Sequence, residues 1–145
     1  MIGNEIRWIG SGKDSYLTIR LEEDRKVKFY FTVDLLEELH KKHKDFFDKE
    51  DNSYNLMIGY DNEGDGVLLY FGISKEKTAY TSAFKIRYKD SNPKGKPKTV
   101  TNRDLRDYVE NGVEKDKFKL LEYESKINDD GILVLEFYLD NPIYY

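Results

Sequence analysis

The sequence predicts an α+β fold in which a curved, mostly antiparallel sheet packs on one long and one short helix. Segments that alternate apolar and polar residues greatly outnumber segments with a helical apolar stripe. Strands and helices do not alternate regularly, which argues against a doubly wound parallel sheet. A chain of 145 residues is most simply one domain, so we expect residues 1–145 to share a single core.

Three alternating segments open the chain. Ile6 and Trp8 mark the first, and residues 16–21 and 27–33 form the second and third. Apolar residues at every second position place one face of a strand on the core and the other toward solvent. Short polar connections between these segments predict a meander.

The strongest helical pattern comes next. Asp34 can cap the helix, and Glu37 three residues later completes a capping box. Acidic residues come first and lysines later, as the helix macrodipole favours. A single apolar stripe runs along the helix and consists of Leu35, Leu36, Leu39, Phe46 and Phe47.

Further strands are predicted in the middle of the chain. Residues 54–60 and 80–88 alternate, whereas residues 67–73 are almost continuously apolar and predict a central strand. Residues 89–98 hold two of the three prolines, so we expect a loop there.

A shorter helix and a hairpin complete the prediction. Thr101 and Asp104 form a capping box, and Gly112 is a natural stop for the helix. Residues 118–123 and 132–139 then flank a turn at residues 128–131, which predicts a terminal hairpin.

Composition narrows the classes of function. The 24 Lys and Arg residues against 28 Asp and Glu give a formal net charge of −4, so we expect no direct nucleic-acid binding. The chain has no Cys, which excludes disulfides and thiolate zinc sites. The first residues contain no apolar run of signal-peptide length, and no stretch is long enough for a membrane span. We therefore expect a cytoplasmic protein without a membrane partner.

The two histidines and one acidic turn resemble metal sites only in part. His40 and His43 lie three residues apart on the first helix, but no third ligand is evident, so we expect partly buried helix residues. Residues 61–66 match the first half of an EF-hand loop, yet Gly72 stands where a bidentate Glu is needed. We interpret this segment as a hairpin turn and expect no metal or cofactor.

Glu136 is the only carboxylate that the sequence suggests as a candidate catalytic acid. It shares a strand face with Ile132, Val134 and Tyr138. A half-buried carboxylate can act as an acid, although an ion pair with a cation on a neighbouring strand is the simpler expectation. No nucleophile with a base and an orienting residue can be assembled from the sequence.

Aromatic residues are abundant, with 12 Tyr and 8 Phe. Tyrosine suits half-exposed binding faces because a large ring carries a polar tip, but most of these tyrosines are explained by their preference for strands. Tyr16 and Tyr30 differ because they lie opposite the aliphatic rows of their strands. We predict that these two residues, together with the terminal Tyr144 and Tyr145, bind a partner.

Lysines concentrate in the predicted loop. Lys89, Lys94, Lys96 and Lys98 stand there against only Asp90. A solvated loop explains them, but an acidic partner would bind here first. We therefore predict that Lys94, Lys96 and Lys98 also contact a partner.

About half of the chain resembles the immunity proteins of bacterial polymorphic toxin systems, especially the family that accompanies deaminase-type toxins. The matching segments are residues 56–59 before the acidic turn, 66–70, 80–82 and the helix at 105–112. In that family the helix tends to lead to a short closing strand with Pro and Trp, which residues 118–123 lack. The resemblance implies a small cytosolic protein that binds and blocks a toxin and has no catalytic residues of its own.

These observations predict a protein-binding inhibitor rather than an enzyme, namely an immunity protein that occludes the active site of its cognate toxin. One alternative is a phage or mobile-element inhibitor of a host defence nuclease. Another is a small enzyme or ligand-binding domain with a pocket on the concave face of the sheet, where Glu136 or His43 would act as acid or base.

Overall fold

A computed structural model describes residues 16–47, 53–61, 68–89 and 92–144. The helices and strands in these segments are β1 (Leu17–Leu21), β2 (Lys26–Phe31), α1 (Val33–Lys42), β3 (Ser53–Tyr60), β4 (Leu68–Ser74), β5 (Ser82–Lys89), β6 (Asn92–Gly95), β7 (Lys98–Thr101), α2 (Arg103–Gly112), β8 (Lys117–Leu120), β9 (Tyr123–Ile127), β10 (Leu133–Tyr138) and β11 (Ile143–Tyr144). No helix within these segments is both long and apolar enough to cross a bilayer.

The described strands form two antiparallel sheets. Sheet A has the order β11-β8-β1-β2-β7, and sheet B has the order β6-β5-β3-β4-β10-β9. The predicted α+β class with antiparallel strands and two helices is confirmed. The sequence pattern suggested one large sheet, whereas the strands divide into two, and both helices have 10 residues.

The two sheets pack face to face through aromatic side chains. The Phe71 ring of β4 lies 5.2 Å from Phe29 and 5.3 Å from Phe31, both on β2, in edge-to-face geometry. Such pairs add to the free energy gained by burying the rings themselves. Because the inner faces meet in this core, the outer faces of the two sheets point in opposite directions.

A tight turn joins β1 to β2. Asp24 and Arg25 have φ angles of 59° and 61°, the left-handed pair that a type I′ hairpin turn requires. The Lys26 amide donates to the Glu23 carbonyl and the Glu22 amide donates to the Lys26 carbonyl, so residues 23–25 form the loop in the register that pairs Leu17 with Phe31. The predicted hairpin of a meander is confirmed here, while the strand predicted around Ile6 and Trp8 lies outside the described residues.

The N-cap of helix α1 lies two residues before the predicted cap. The Thr32 hydroxyl accepts the amide of Leu35 at 3.3 Å and donates to the Tyr16 carbonyl at 2.9 Å, so Thr32 rather than Asp34 is the N-cap. The helix ends at Lys42, and Phe46 and Phe47 are buried from the turn that follows. All five residues of the predicted apolar stripe are therefore buried, but only Leu35, Leu36 and Leu39 lie in the helix.

Helix α1 contacts sheet B near both of its edges. On the β5–β6 side, Leu36 lies so close to Gly95 that an added Cβ would be 3.3 Å from Leu36 Cδ1. On the β9 side, the Tyr123 hydroxyl donates to Glu38 Oε1 at 2.8 Å. Sheet B must therefore curl for α1 to reach strands at both of its edges.

The segment predicted as a loop at residues 89–98 is mostly strand, which corrects that prediction. β6 pairs with β5 and β7 pairs with β2, so each lies at the edge of its sheet. Pro93 is tolerated in β6 because an edge strand leaves one side of its backbone unpaired.

The end of the chain also departs from the predicted hairpin. The turn itself is confirmed: Asn128 Oδ1 accepts the amides of Asp130 and Ile132, and Gly131 has a φ of 76°. The hairpin strands are β9 and β10, however, because the strand predicted at 118–123 breaks into β8 of sheet A and β9 of sheet B.

Helix α2 begins one residue later than predicted. Asn102 Oδ1 accepts the Leu105 amide at 3.0 Å, so Asn102 is the N-cap in place of Thr101. The helix ends near the predicted stop, but Gly112 is its last helical residue and Val113 is the C-cap, so Gly112 does not lie beyond the helix as predicted.

Candidate binding surfaces

Tyrosines and glutamates come together on the outer face of sheet B. In the antiparallel register, Glu136 of β10 lies directly opposite Glu124 of β9 and Tyr70 of β4. Tyr138 follows two residues after Glu136, on the same side of the strand. We call this surface the tyrosine face and define it by Met57, Tyr70, Glu124, Val134, Glu136 and Tyr138.

The pKa values of the two phenols on this face are raised. Glu124, followed by burial and Glu136, raises the pKa of Tyr138 above its ordinary value. Burial, followed by Glu136 and Asp61, raises the pKa of Tyr70. Both phenols, whose ordinary pKa is 10.0, are protonated at neutral pH, and carboxylates lie beside each of them.

Two glycines flatten the centre of the tyrosine face. Gly59 lies opposite Tyr70, and Gly72 lies between Met57 and Val134. A Cβ added at Gly72 would approach Met57 Cε to 3.0 Å. A shallow depression of about 130 Å³ lies beside this flat region and is lined by Glu124 and Glu136 together with Lys126, which lies opposite Val134.

Tyr80 projects beside the tyrosine face and is 84% exposed. It was expected within a strand, but it lies in the turn before β5. Hydrogen bonds between Thr78 and Thr81 close this turn, and the Thr78 hydroxyl lies 4.0 Å from Met57 Sδ. The turn thus fixes the backbone of Tyr80 next to the flat region and leaves its ring in solvent.

The interpretation of Glu136 needs a correction. Its strand face is shared with Ile132, Val134 and Tyr138 as predicted, but its direct cross-strand neighbours are Glu124 and Tyr70 rather than a Lys or Arg. Tyr70, Tyr138 and Glu124 were missed as candidates because their proximity depends on strand register, which a single sequence does not give.

The outer face of sheet A carries Tyr30 among cations. Lys117, Arg20 and Lys28 lie directly opposite one another across β8, β1 and β2, and Lys119, Thr18 and Tyr30 form the adjacent row. We call these six residues the basic face. Tyr30 is half-buried and lines a groove of about 310 Å³ together with Thr18, Arg20, Lys28, Pro97 and Lys117.

Among the other residues predicted to bind a partner, Tyr16, Lys96 and Lys98 lie close to the basic face. Tyr16 precedes β1, and the Lys119 ammonium lies 4.6 Å from the centre of its ring. Lys96 and Lys98 line a second groove of about 270 Å³ that shares Pro97 with the first. Lys94 lies opposite Arg87 on the β5–β6 hairpin.

Tyr144 has a structural role. Its ring packs against Phe118 at 6.2 Å between centroids, and its hydroxyl accepts the Glu114 amide at 2.9 Å. These contacts account for Tyr144 within the fold, and its neighbour Tyr145 lies outside the described residues.

Both histidines are half-buried, as predicted, and each bonds to the protein. His40 Nδ1 donates to the Leu36 carbonyl at 2.6 Å, and its Nε2 bonds the Tyr88 hydroxyl at 2.8 Å. His43 Nε2 bonds the Ser125 hydroxyl at 2.9 Å. In the described part of the chain, no group of three or more His, Asp or Glu residues is arranged to hold a metal ion.

The acidic turn at residues 61–66 falls between β3 and β4 in the sequence, and the pocket proposed for an enzyme would lie on the inner face of sheet B. Residues 62–67 lie outside the described residues, although β3 and β4 flank them as the hairpin interpretation requires. Core side chains such as Phe71, Phe84 and Phe137 fill the inner face of sheet B, where the enzyme alternative placed a pocket.

The chain matches no protein-family model, no curated protein and no solved structure. The resemblance to toxin immunity proteins stays a prediction from the sequence pattern.

Proposed function

We propose that the protein binds another protein through the tyrosine face and blocks that protein's active site, as an immunity protein does with its cognate toxin. One observation carries the proposal: Glu124 and Glu136 lie directly opposite each other across β9 and β10, next to Tyr70 and Tyr138. Like charges placed directly opposite in a sheet are destabilising, and a cationic partner would offset that cost.

The chemistry of the surrounding surface supports a protein partner. Tyrosine and methionine are enriched in the centres of protein interfaces, and Tyr70, Tyr138 and Met57 supply both here. Gly59 leaves space for a partner's side chain close to the sheet, whereas the side chains of Met57 and Ile132 cover Gly72. Tyr80, fixed by its threonine turn, adds a projecting ring at the margin.

The charge of this face indicates the kind of partner. Glu124 and Glu136 favour a surface rich in Lys and Arg, such as the active-site cleft of a catalytic domain that acts on nucleic acid. Complementary charge also accelerates the first encounter, which matters for an inhibitor that must act before its target does. Neutralising a toxin inside the producing cell places this function in the cytoplasm.

The test is co-expression with the toxin candidate encoded by the adjacent gene. Wild-type protein should restore growth and form a complex that survives size-exclusion chromatography. Glu136→Lys should lose both, because it places a cation against a basic cleft, whereas Glu23→Lys makes the same charge change in the exposed β1–β2 turn and should retain both. Equal protection by Glu136→Lys would exclude this face as the interface, and failure of the wild type to bind would exclude the function.

A further inference from the structure

We propose that the basic face and the groove next to it form a second binding site, for single-stranded nucleic acid. This site covers the outer face of sheet A and extends to Lys85 on β5 of sheet B, and it does not depend on the protein–protein function proposed for the tyrosine face. It would bind the phosphate backbone electrostatically and stack a base on Tyr30.

The first argument is the row of cations across sheet A. Lys117 and Lys28 each lie directly opposite Arg20, on strands spaced about 4.8 Å apart. Three adjacent like charges destabilise a sheet, and the strand register places no carboxylate among them. Glu22, two residues further along β1, lies 3.9 Å from Arg20 at the centre of the row and offsets one of the three charges, and such an exposed pair contributes little to stability. A locally unfavourable arrangement of this kind is typical of a binding site.

The second argument is the continuity of positive charge. Three cations line each groove: Arg20, Lys28 and Lys117 in the first, and Lys85, Lys96 and Lys98 in the second. Pro97 lines both grooves, so they adjoin. No Asp or Glu is among the described residues that line either groove. Lys98 donates to the Ala83 carbonyl at 3.3 Å, and an ammonium group has two further donors for a ligand.

The net charge of the chain does not argue against this site. The formal charge of −4 is an average over the whole sequence, whereas every charged residue that lines the two grooves in the described part of the chain is a Lys or an Arg. Glu124 and Glu136 lie on the outer face of sheet B, and the row at Arg20 lies on the outer face of sheet A. A polyanion on sheet A therefore meets a local surplus of cations.

The third argument distinguishes nucleic acid from an acidic polypeptide. Sequence-tolerant binders of single strands combine an open, positively charged groove with an aromatic ring on which a base stacks. Tyr30 is half-exposed in the first groove, directly beside the row of cations. Five of the six cations are lysines, which act as flexible point charges on phosphates rather than as planar forks that fix one carboxylate geometry.

The test is fluorescence anisotropy with a labelled oligothymidylate of about twelve nucleotides, which fits the range of single-strand site sizes. If six phosphates are neutralised, a plot of log K against log salt concentration should have a slope of about −4. Lys28→Gln and Lys117→Gln should each reduce that slope by about 0.7. Lys44→Gln, an exposed charge change in the turn after α1, should leave the slope unchanged.

A separate measurement tests whether a base stacks on Tyr30. Tyr30→Ala should weaken binding at least about fivefold without changing the salt slope, since stacking involves no counterion release. Tyr30→Phe keeps the ring and should bind like the wild type. Urea unfolding of each variant shows whether it remains folded.

Three outcomes would overturn the proposal. One is no binding at about 0.1 mM protein in low salt, which is weaker than ordinary non-specific binding. Another is tighter binding of a duplex than of the single strand. The third is equal affinity for a polyglutamate peptide of matched charge, with no effect of Tyr30→Ala, which would indicate an acidic protein partner instead. Glu136→Lys should leave oligonucleotide binding intact, so failure of this proposal and failure of the proposed function are separable.

Discussion

The Tyr108 hydroxyl donates a hydrogen bond to the Leu68 carbonyl at 2.7 Å and accepts one from the Leu68 amide at 3.2 Å. A single side chain of α2 thereby satisfies both backbone groups of the first residue of β4, which is 40 positions away in the sequence. The Tyr108 ring also lies 4.8 Å from Tyr60 at the end of β3. Helix α2 is thus fixed at the end of sheet B next to Tyr70, so it supports one side of the tyrosine face.

Replacing Tyr108 by Phe should lower the free energy of unfolding by about 1–3 kcal/mol, because it leaves both backbone groups of Leu68 partly buried and unpaired. Urea unfolding measures the change. Tyr80→Phe is the matched control, since Tyr80 is 84% exposed and should change the free energy by less than about 0.5 kcal/mol. An equal effect of the two substitutions would mean that water replaces the Tyr108 hydroxyl at no cost.

Gly95→Ala should also destabilise the fold, by about 1–3 kcal/mol. The added Cβ would lie 3.0 Å from Phe84 Cζ and 3.3 Å from Leu36 Cδ1, so it would push a core ring and α1 away from β6. Gly112→Ala makes the same chemical change at the end of α2, where the nearest atom is Leu139 Cδ1 at 3.8 Å. Thermal unfolding should show a lower Tm for Gly95→Ala alone, and equal Tm values would show that β6 does not pack tightly on α1.

Local patterns in the sequence predict the secondary structure well where the residues of a single strand, helix or turn determine it. The turn at residues 128–131 follows from the Asn128 side chain and from Gly131, and the alternating segments became strands because the side-chain period of a strand is two. The cap of α1 was misplaced because Thr32 and Asp34 are both good N-caps, and only the contact with Tyr16 favours Thr32.

The pairing of strands that are far apart in the sequence could not be predicted from local patterns. Residues 118–123 have a continuous pattern, so nothing in it showed that the chain leaves sheet A and enters sheet B at that point. The rows at Arg20 and at Glu136 join residues from three strands each, and they exist only in the observed register. Tyr30 could be predicted as surface-exposed from its own strand, whereas its cationic neighbours Lys28 and Lys117 could not be placed around one groove.

Stability should fall at alkaline pH, in part because of Tyr123. Burial, followed by the hydrogen bond to Glu38, raises the pKa of Tyr123 far above its ordinary value of 10.0. The folded state therefore retains a proton that the unfolded state loses above pH 10.0, so this contribution is complete below that pH and is lost as the pH rises.

Tyr123→Phe provides the measurement for this effect. At neutral pH the variant should be less stable than the wild type by about 1 kcal/mol, because it lacks the hydrogen bond to Glu38. The difference should shrink between about pH 9 and pH 11, as the wild type loses the contribution of the phenol. A difference that stays constant over this range would show that Tyr123 ionises as easily in the folded protein as in the unfolded chain.

His43 should give a complementary loss of stability on the acidic side. Burial, followed by the charge of Lys42, lowers the pKa of the imidazole below its ordinary value of 6.5, and Ser125 bonds its Nε2 at 2.9 Å. The unfolded chain binds a proton first as the pH falls, so the contribution is present above pH 6.5 and is lost below it. His43→Gln should therefore be closest to the wild type in stability at the acidic end of the range. A titration of the His43 ring by NMR should give a midpoint below 6.5, and a midpoint at or above that value would contradict this account.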